Sequence, residues 1–309
     1  MAYNFKQEMS KAERFTPGHR LCAGCGAGIA CRAIMRAMDP GDTAVIANAT
    51  GCLEVSSFMY PYVSWEDSYI HSAFENASAV CGGVEAAYKV LKRKGKIDDT
   101  YKFIAIGGDG RTYDIGFQSL SGAMERNHNM TYFCYDNEAY MNTGIQRSSS
   151  TPRFADATTT PVGSVSTGKV QNKKDLTEIM VAHNIPYAAQ TTFMGNFSDF
   201  HNKARRAIYT DGAAFVNVLA PCLRGWRYET ELLPEICRTA VDTCVWPLYE
   251  VIDGVYYLTY EPRKKLPVED FLRLQGRFRH CFKPGNEWII EEAQRYVDAK
   301  WEQLLEKLS

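Results

Sequence analysis

Four of the ten cysteines have a spacing that could hold one metal centre. Cys22 and Cys25 are separated by two residues, while Cys52 and Cys222 lie much further along the chain. Two thiolates at this close spacing can grip one metal ion or cluster, and the distant pair would close the site. Because zinc and an iron–sulfur cluster both accept four thiolates, the spacing leaves the two open. The alternative is that Cys52 and Cys222 are core thiols and that the close pair is incidental.

The remaining six cysteines occur in apolar or helical surroundings and are expected to be small core residues. They are Cys31, Cys81, Cys134, Cys237, Cys244 and Cys281.

Composition limits the classes of protein to consider. The 309 residues are 45% hydrophobic and carry a formal net charge of −1, with the two signs interspersed. Such a chain offers neither a basic face for nucleic acid nor a polybasic patch for a membrane. No apolar run has the length of a membrane span, and the first residues lack the pattern of a secretory signal. We therefore expect a cytoplasmic protein with reduced cysteines.

A second candidate site begins with Gly108-Asp109-Gly110, directly after a predicted buried strand. Asn137 follows twenty-eight residues after the aspartate and ends the next predicted strand. Both side chains would lie at the carboxyl ends of strands, where ligands bind in open α/β sheets. A carboxylate, an amide oxygen and a nearby carbonyl suit Mg²⁺, and the glycines let a diphosphate approach the backbone. The alternative for Gly-Asp-Gly is a tight turn.

Alternating hydrophobic patterns predict the fold class. Short apolar runs predict buried strands at 43–47, 103–106, 130–135 and 214–219. Helical patterns occur at 28–38, 74–92, 116–126, 174–183 and 198–209. This order predicts an α/β fold with a mostly parallel, doubly wound sheet.

Two regions do not follow this alternation. The polar segment 137–173 is too long for a simple connection and is expected to line a site or an interface. After residue 245 the predicted elements are a hairpin at 251–260, a helix at 268–279 and an amphipathic terminal helix at 288–307. We therefore predict a cofactor-binding domain at 1–245 and a C-terminal extension at 246–309 that packs on this domain or on a partner subunit.

The residues around these motifs resemble the beta subunit of pyruvate:ferredoxin and other 2-oxoacid:ferredoxin oxidoreductases. The matching segments are 21–26 (LCAGCG), 49–52 (ATGC), 108–110 (GDG), 113–116 (YDIG), 135–144 (YDNEAYMNTG) and 219–222 (LAPC). The likeness covers nearly the whole chain in family order. It implies the diphosphate-binding domain of the thiamine-diphosphate-binding fold.

The resemblance also implies three bound groups: thiamine diphosphate, Mg²⁺ and a 4Fe-4S cluster. The implied cluster ligands are Cys22, Cys25, Cys52 and Cys222. The implied Mg²⁺ ligands are the side chains of Asp109 and Asn137 and the carbonyl of Ala139. The residues expected beside the cofactor, besides these ligands, are Thr50, Gly51, Asn76, Gly108, Gly110 and Arg111. Asn142 would face the substrate above the thiazolium ring, and His71 is a further candidate near the diphosphate.

The implied activity is thiamine-diphosphate-dependent oxidative decarboxylation of a small 2-oxoacid. Pyruvate, giving acetyl-CoA and CO2, is the first candidate, with electrons passing through the cluster to ferredoxin. In the family, the glutamate that activates the aminopyrimidine, the arginine that grips the substrate and the coenzyme A site lie largely on other chains. We therefore expect partner subunits of alpha, gamma and delta type and assign no general base here.

Two arginines depart from the family pattern. Arg111 follows Gly-Asp-Gly, where relatives often have Gly or Trp, and Arg224 stands where a smaller residue is common. Arginine pairs bidentately with carboxylates, so this extra charge could favour a dianionic substrate, which makes an oxalate oxidoreductase the second candidate. The alternative is a surface or interface position for both arginines.

Two more distant functions are also open at this point. A non-redox thiamine-dependent decarboxylase would use the cysteines structurally, and a zinc-stabilised scaffold subunit would use Gly-Asp-Gly as a turn. A brown protein with broad absorbance near about 400 nm after anaerobic purification would support the cluster.

Overall fold

A computed structural model describes residues 4–193 and 197–308 of the chain. Its centre is one eight-stranded sheet. The strands are β1 (Thr43–Ala49), β2 (Ser68–Ser72), β3 (Tyr101–Gly108), β4 (Thr131–Asp136), β5 (Tyr187–Thr192), β6 (Ala214–Leu219), β7 (Leu248–Ile252) and β8 (Val255–Tyr260).

Eleven α-helices are assigned within these described residues, and shorter helical turns occur at 110–115, 230–232 and 276–282. The helices are α1 (Phe5–Met9), α2 (Gly26–Arg36), α3 (Cys52–Ser57), α4 (Ala77–Arg93), α5 (Phe117–Glu125), α6 (Leu176–Val181), α7 (Phe197–Tyr209), α8 (Leu223–Trp226), α9 (Leu233–Asp242), α10 (Val268–Arg273) and α11 (Glu287–Leu305). Within the described ranges, none of these helices is long and apolar enough to cross a membrane.

The strand order is β2-β1-β3-β4-β6-β5-β7-β8. The first six strands of this order are parallel, and β7 and β8 join antiparallel at one edge. This arrangement confirms the predicted α/β fold with a mostly parallel sheet. The residues after 245 thus extend the same sheet by a hairpin.

Helices cover both faces of the sheet, as the buried strands require. Along β3, Ile104 and Ile106 point into one core, and Phe103 and Ala105 point into the other, because side chains alternate along a strand. Helices α2, α7 and α9 pack in the first core, while α4, α5 and α6 pack in the second. The continuous apolar runs seen in the sequence therefore belong to strands buried on both faces.

A topological switch point lies between β1 and β3. The chain leaves β1 toward β2 on one side and leaves β3 toward β4 on the other. Leu53, just after β1, packs in the first core, whereas Leu120, in the helix after β3, packs in the second. A crevice opens outside the carboxyl ends of two such strands, and open α/β sheets bind ligands there.

The expected elements agree with the structure in type but not always in length. The four predicted strands correspond to β1, β3, β4 and β6. The sequence patterns missed strands β2 and β5 and helices α1, α3, α8 and α9. The predicted helix at 268–279 is α10 followed by a 3₁₀ turn. Strand β5 was missed because its alanines and threonines carry little hydrophobic signal, although all six residues are buried.

Gly26 marks a close contact between the first turn of α2 and the segment after β6. An added Cβ would lie 2.7 Å from the Ala220 carbonyl carbon and 2.7 Å from the Pro221 oxygen, both backbone atoms. The Gly26 amide also donates to the Pro221 oxygen at 3.3 Å. This approach brings Cys25 and Cys222 to the same end of the sheet.

We expect Gly26→Ala to lower the free energy of unfolding by about 1–3 kcal/mol, because backbone must move to admit the methyl group. Gly83 is the matched control: it lies inside α4, is exposed, and an added Cβ would meet no atom within 4 Å. Gly83→Ala should be neutral or stabilising by up to about 1 kcal/mol. Urea denaturation of both variants measures the difference, and equal midpoints would contradict the contact.

Candidate active site

Most of the predicted site residues follow the carboxyl ends of five parallel strands, at one end of the sheet. Thr50, Gly51 and Cys52 follow β1, Asn76 lies beyond β2, Asp109 follows β3, Asn137 follows β4, and Cys222 lies three residues after β6. The register keeps these ends level, since Gly108 pairs with Tyr135 and Asp136 pairs with Leu219. The fold therefore gathers residues from separate parts of the chain at the switch point.

Three oxygen-bearing groups converge after β3 and β4. The terminal amide of Asn137 faces Asp109 Oδ1 at 2.8 Å and the Ala139 carbonyl oxygen at 2.9 Å. An amide oxygen turned toward two other oxygens needs a cation between them, whereas an amide turned the other way donates to both. Carboxylate, amide and carbonyl oxygens are the donor set that Mg²⁺ takes from proteins. The three groups therefore fit a small divalent cation.

The charge of Asp109 is poorly compensated by the protein. Its side chain is buried, and burial, with the neighbouring Asp136 carboxylate adding to it, raises the pKa of Asp109 well above its usual range. The Ser148 hydroxyl donates to Asp109 and opposes the shift. A buried carboxylate of this kind is stabilised as an anion when a cation binds to it.

The four candidate cysteine ligands are linked by electrostatic interactions to one another and to the oxygen group, which consists of Asp109, Asn137 and Ala139. Cys25 interacts electrostatically with Cys22 and Cys222, and Cys52 interacts with Cys25 and Cys222. Cys52 also interacts electrostatically with Asp109. Cys22, Cys25, Cys52 and Cys222, here called the thiol group, are thus linked by these interactions, and Cys52 links them to the oxygen group.

Burial favours the protonated thiol at Cys25, Cys52 and Cys222. Burial, followed by the neighbouring thiols, raises the pKa of Cys52 to about 12, and burial also raises the pKa values of Cys25 and Cys222. Backbone N–H groups after Cys25 and Cys222 oppose these shifts. Any metal bound here must therefore displace protons.

Within 4–193 and 197–308, no three His, Cys, Asp or Glu side chains converge as closely as one metal ion requires. The six remaining cysteines are buried, as predicted.

Arg111 is buried at the same end of the sheet, which rules out the surface position that was the alternative to a place beside the cofactor. Its guanidinium lies 4.8 Å from the Phe74 ring centre and donates to the Tyr135 hydroxyl at 3.2 Å. A Cβ on Gly51 would clash with Nη2 at 1.4 Å, and one on Gly108 would lie 2.4 Å from Nη1. Both glycines therefore leave room for Arg111. Arg224, in contrast, is exposed as expected.

Gly110 makes a similar allowance for the loop after β4. An added Cβ at Gly110 would lie 2.4 Å from the ring of Tyr140, whose hydroxyl donates to the Gly110 oxygen at 2.8 Å. The Tyr140 ring also stacks on Phe74. Asn142 lies exposed on the following turn, beside Met141, which packs against Gly225 in the segment after Cys222.

Two further candidates have distinct positions beyond β2. Asn76 caps α4, and its buried Oδ1 has no hydrogen-bond partner in the described part of the chain. His71 is half exposed, and its Nδ1 contacts the carboxylate of Glu54, which is fully buried. His71 therefore lies at the rim of the crevice rather than inside it.

A buried ion-pair network behind the oxygen group was missed by sequence reasoning. Lys173 Nζ lies 2.8 Å from Asp136 Oδ2 and 2.9 Å from Glu138 Oε1, and Arg277 also pairs with Glu138. Glu138 has a positive φ of 67°, a conformation that costs energy for a side chain of its size. The two ion pairs hold this strained residue between Asn137 and Ala139 and so orient both.

Chemical signals for this network were present but weak. Lys173 is the last residue of the polar segment 137–173, and its position here supports the expected role of that segment in lining a site. Arg277 lies in the C-terminal extension. Single lysines and arginines far apart in sequence carry no spacing pattern. Their partners are decided by tertiary packing alone.

Comparison with known proteins agrees with this architecture. A family model for the thiamine pyrophosphate enzyme C-terminal TPP binding domain matches residues 49–218, which contain the oxygen group and Cys52. A solved 2-oxoglutarate:ferredoxin oxidoreductase from Magnetococcus marinus, with 2-oxoglutarate, coenzyme A and succinyl-CoA bound, has a TM-score of 0.55 with this chain. It covers 73% of this chain and 78% of its own at 22% identity, which supports the fold alone.

Curated relatives extend over nearly the whole length. Pyruvate synthase subunit PorB of Thermotoga maritima is 52% identical over 99% of this chain and 96% of its own. The subunit of that name from Methanocaldococcus jannaschii is 51% identical over 95% and 97%. Ketoisovalerate oxidoreductase subunit VorB of Pyrococcus furiosus is 41% identical over 94% and 92%. The chain belongs to the thiamine-diphosphate-binding beta subunits of the 2-oxoacid:ferredoxin oxidoreductases, enzymes that act as multi-subunit complexes.

We expect Asp109→Asn to stabilise the chain when it is free of metal and cofactor. Because the folded pKa of Asp109 lies above the usual 3.8, its contribution to stability is fully present below about pH 4 and is lost as pH rises. Asn does not titrate, so the variant should gain about 1–4 kcal/mol at pH 7 and nothing at pH 3. Thermal unfolding followed from about pH 3 to about pH 7 measures this gain in stability.

The exposed Asp98→Asn variant is the matched control and should show no such pH-dependent gain. Addition of Mg²⁺ and thiamine diphosphate should raise the melting temperature of the wild type and not that of Asp109→Asn. A variant less stable than the wild type at pH 7 without ligands would contradict the uncompensated charge.

Proposed function

We propose that this chain binds thiamine diphosphate, Mg²⁺ and a 4Fe-4S cluster, and with partner subunits oxidises pyruvate to acetyl-CoA and CO2. The observation that carries the proposal is the electrostatic interaction between the two groups at the switch point. Cys52 of the thiol group interacts electrostatically with Asp109 of the oxygen group, so the electron-donating thiamine cofactor and the electron-accepting cluster would be neighbours. A non-redox thiamine enzyme has no need of four thiols at that place.

Pyruvate is preferred to other substrates because of the relatives. Those at 52% and 51% identity are pyruvate synthase subunits, and the ketoisovalerate oxidoreductase subunit follows at 41%. These names do not favour the oxalate alternative, and the position of Arg111 gives it no support, since Arg111 lies against Gly51 and Gly108. Coenzyme A would be the acyl acceptor and ferredoxin the final electron acceptor.

The oxygen group would anchor the cofactor. Asp109, the Asn137 amide and the Ala139 carbonyl would hold Mg²⁺, which in turn would take diphosphate oxygens. The position of the Asn137 amide, within 2.9 Å of both Asp109 Oδ1 and the Ala139 carbonyl oxygen, and the raised pKa of Asp109 support this assignment. The strained Glu138 keeps the ligands oriented before the cation arrives.

Groups around the crevice would bind the rest of the diphosphate and the substrate. The Thr50 hydroxyl donates to the Ser72 carbonyl at 3.1 Å, which fixes the chain leading to Gly51. Gly51 and Gly108 would lie beside the diphosphate with Arg111 as its counter-charge, and Gly110 would help the backbone approach. The unpartnered Oδ1 of Asn76 supports a contact there.

The thiol group would hold the cluster, whose four thiolates are distributed over its corners. Cys25 and Cys222 stand at the starts of α2 and α8, where backbone N–H groups face their sulfur atoms. Such hydrogen bonds favour the thiolate over the thiol. When bound, thiamine diphosphate supplies a ring that accepts the electron pair left by CO2, and the cluster accepts electrons singly.

Partner subunits would complete the site. Asn142 is exposed on the turn above the crevice and would face the substrate, whose other contacts would come from further chains. The segment after α3 exposes Tyr60, Tyr62 and Val63, an apolar surface that suits a subunit contact. We place the assembled complex in the cytoplasm, where thiols stay reduced.

We expect Asp109→Ala to abolish Mg²⁺-dependent binding of thiamine diphosphate in the assembled complex, because the remaining amide and carbonyl carry no charge. Cys222→Ser should lose this chain's cluster. Cofactor analysis together with iron and sulfide analysis of anaerobically purified complexes measures both. Asp98→Ala and Cys244→Ser, which alter an exposed aspartate and a buried cysteine outside the thiol group, are the matched controls.

Unchanged cofactor content in Asp109→Ala or Cys222→Ser would refute the corresponding assignment. A colourless wild-type chain containing zinc would favour the scaffold function instead.

We expect the wild-type complex to reduce a viologen acceptor with pyruvate faster than with 2-oxoisovalerate, 2-oxoglutarate or oxalate. The rate with pyruvate should require coenzyme A, because the acyl group must leave the cofactor before the next turnover. The readout is the initial rate under anaerobic conditions. A higher kcat/KM for any of the other three acids would overturn the choice of pyruvate.

A further inference from the structure

Arg111 is a buried cation that forms no ion pair with a carboxylate of the described residues. The side chain is only 8% exposed, Nη1 donates to the Tyr135 hydroxyl, and Nε has no hydrogen-bond partner in the described residues. Asp109 interacts with it electrostatically, but no carboxylate of the described ranges lies within the 4.0 Å of an ion pair. Burial of an unpaired guanidinium is costly, so this position favours a bound anion.

Two bound anions would adjoin Arg111. Gly51, whose missing Cβ leaves room for Nη2, directly precedes Cys52, and Arg111 interacts electrostatically with that thiol. Gly108, against which Nη1 lies, directly precedes Asp109. Arg111 therefore lies between the thiol group and the oxygen group, where it could interact with both the cluster and the Mg²⁺-bound diphosphate.

We propose that Arg111 is a positioning residue that couples the two sites by its charge: it holds the diphosphate and raises the reduction potential of the cluster that Cys52 ligates. This inference rests on the proposed function. It goes beyond that function because it assigns to one residue of this chain the tuning of electron transfer.

The physical basis is the low local polarity around a fixed charge. A reduced cluster carries one more negative charge than an oxidised one, so a nearby cation stabilises the reduced state. Solvent screens this effect little at Arg111, because the Phe74 and Tyr135 rings and the two glycine backbones enclose it.

Tyr135 provides a second connection to the cluster side. Its hydroxyl, which accepts from Arg111, also accepts from the Leu53 backbone N–H at 3.5 Å, and Leu53 follows Cys52. Arg111 thus fixes Tyr135 against the backbone of the cluster ligand. Loss of the guanidinium would remove both the charge and this support.

The test is a potentiometric titration of the holo-complex followed by electron paramagnetic resonance. The signal absent from Cys222→Ser identifies the cluster of this chain among any others in the complex. In Arg111→Met the midpoint of that signal should fall, corresponding to about a tenfold loss in the equilibrium constant of reduction, or about 59 mV for one electron. Calorimetry should also show weaker binding of thiamine diphosphate.

Arg111→Lys separates charge from shape. It should shift the midpoint less than Arg111→Met, while binding the diphosphate more weakly than the wild type, because an ammonium cannot pair bidentately. Arg111→Gln is the second neutral variant and should reproduce the lower midpoint if Arg111→Met does not assemble.

Arg224→Met is the matched control. Arg224 also lies two residues after a predicted ligand, but it is exposed and its charge is screened, so the midpoint should stay at the wild-type value. An unchanged midpoint in the neutral Arg111 variants, or an equal shift in Arg224→Met, would overturn the inference while leaving the proposed function intact. The proposed function itself fails if the wild type has no signal that Cys222→Ser removes.

Discussion

The site depends on one electrostatic constraint, the buried carboxylate of Asp109 at the carboxyl end of β3. Burial and the nearby Asp136 oppose its ionisation; Lys173 and Arg111 favour it electrostatically, but no cation of the described residues forms an ion pair with this carboxylate. A neighbouring amide and carbonyl point at the same space. The chain thus spends stability on an arrangement that becomes favourable when a divalent cation binds, as preorganised sites generally do.

The ion pairs behind the oxygen group explain how this arrangement persists. Glu138 has a left-handed backbone conformation, and its carboxylate is held by Lys173 and Arg277. The Arg277 guanidinium comes from the C-terminal segment and lies 4.0 Å from the ring centre of Trp226. The Trp226 indole N–H donates to the backbone carbonyl oxygen of Asn137. The C-terminal residues therefore support the site from behind as well as extending the sheet.

The same crevice joins redox and cofactor chemistry because of the strand order. The chain diverges between β1 and β3, so that Cys52 and Asp109 open onto one crevice although Asp109 lies 57 residues after Cys52 in the sequence. Gly26 admits the backbone before Cys222 from the other side. Arg111 fills the space between, against the backbone of Gly51 after β1 and of Gly108 at the end of β3. Close packing of backbone, more than any single ligand, sets how near the two bound groups would be.

The sequence alone determined the α/β class, the buried strands and the residues with ligand chemistry, because apolar runs and closely spaced Cys, Asp and Asn are local signals. It also indicated the family through short motifs. It did not reveal β5, the burial of Arg111 or the partners of Lys173 and Arg277. Those features depend on which distant segments pack together, and only the tertiary structure decides such contacts, since a charge shows no partner in its own sequence neighbourhood.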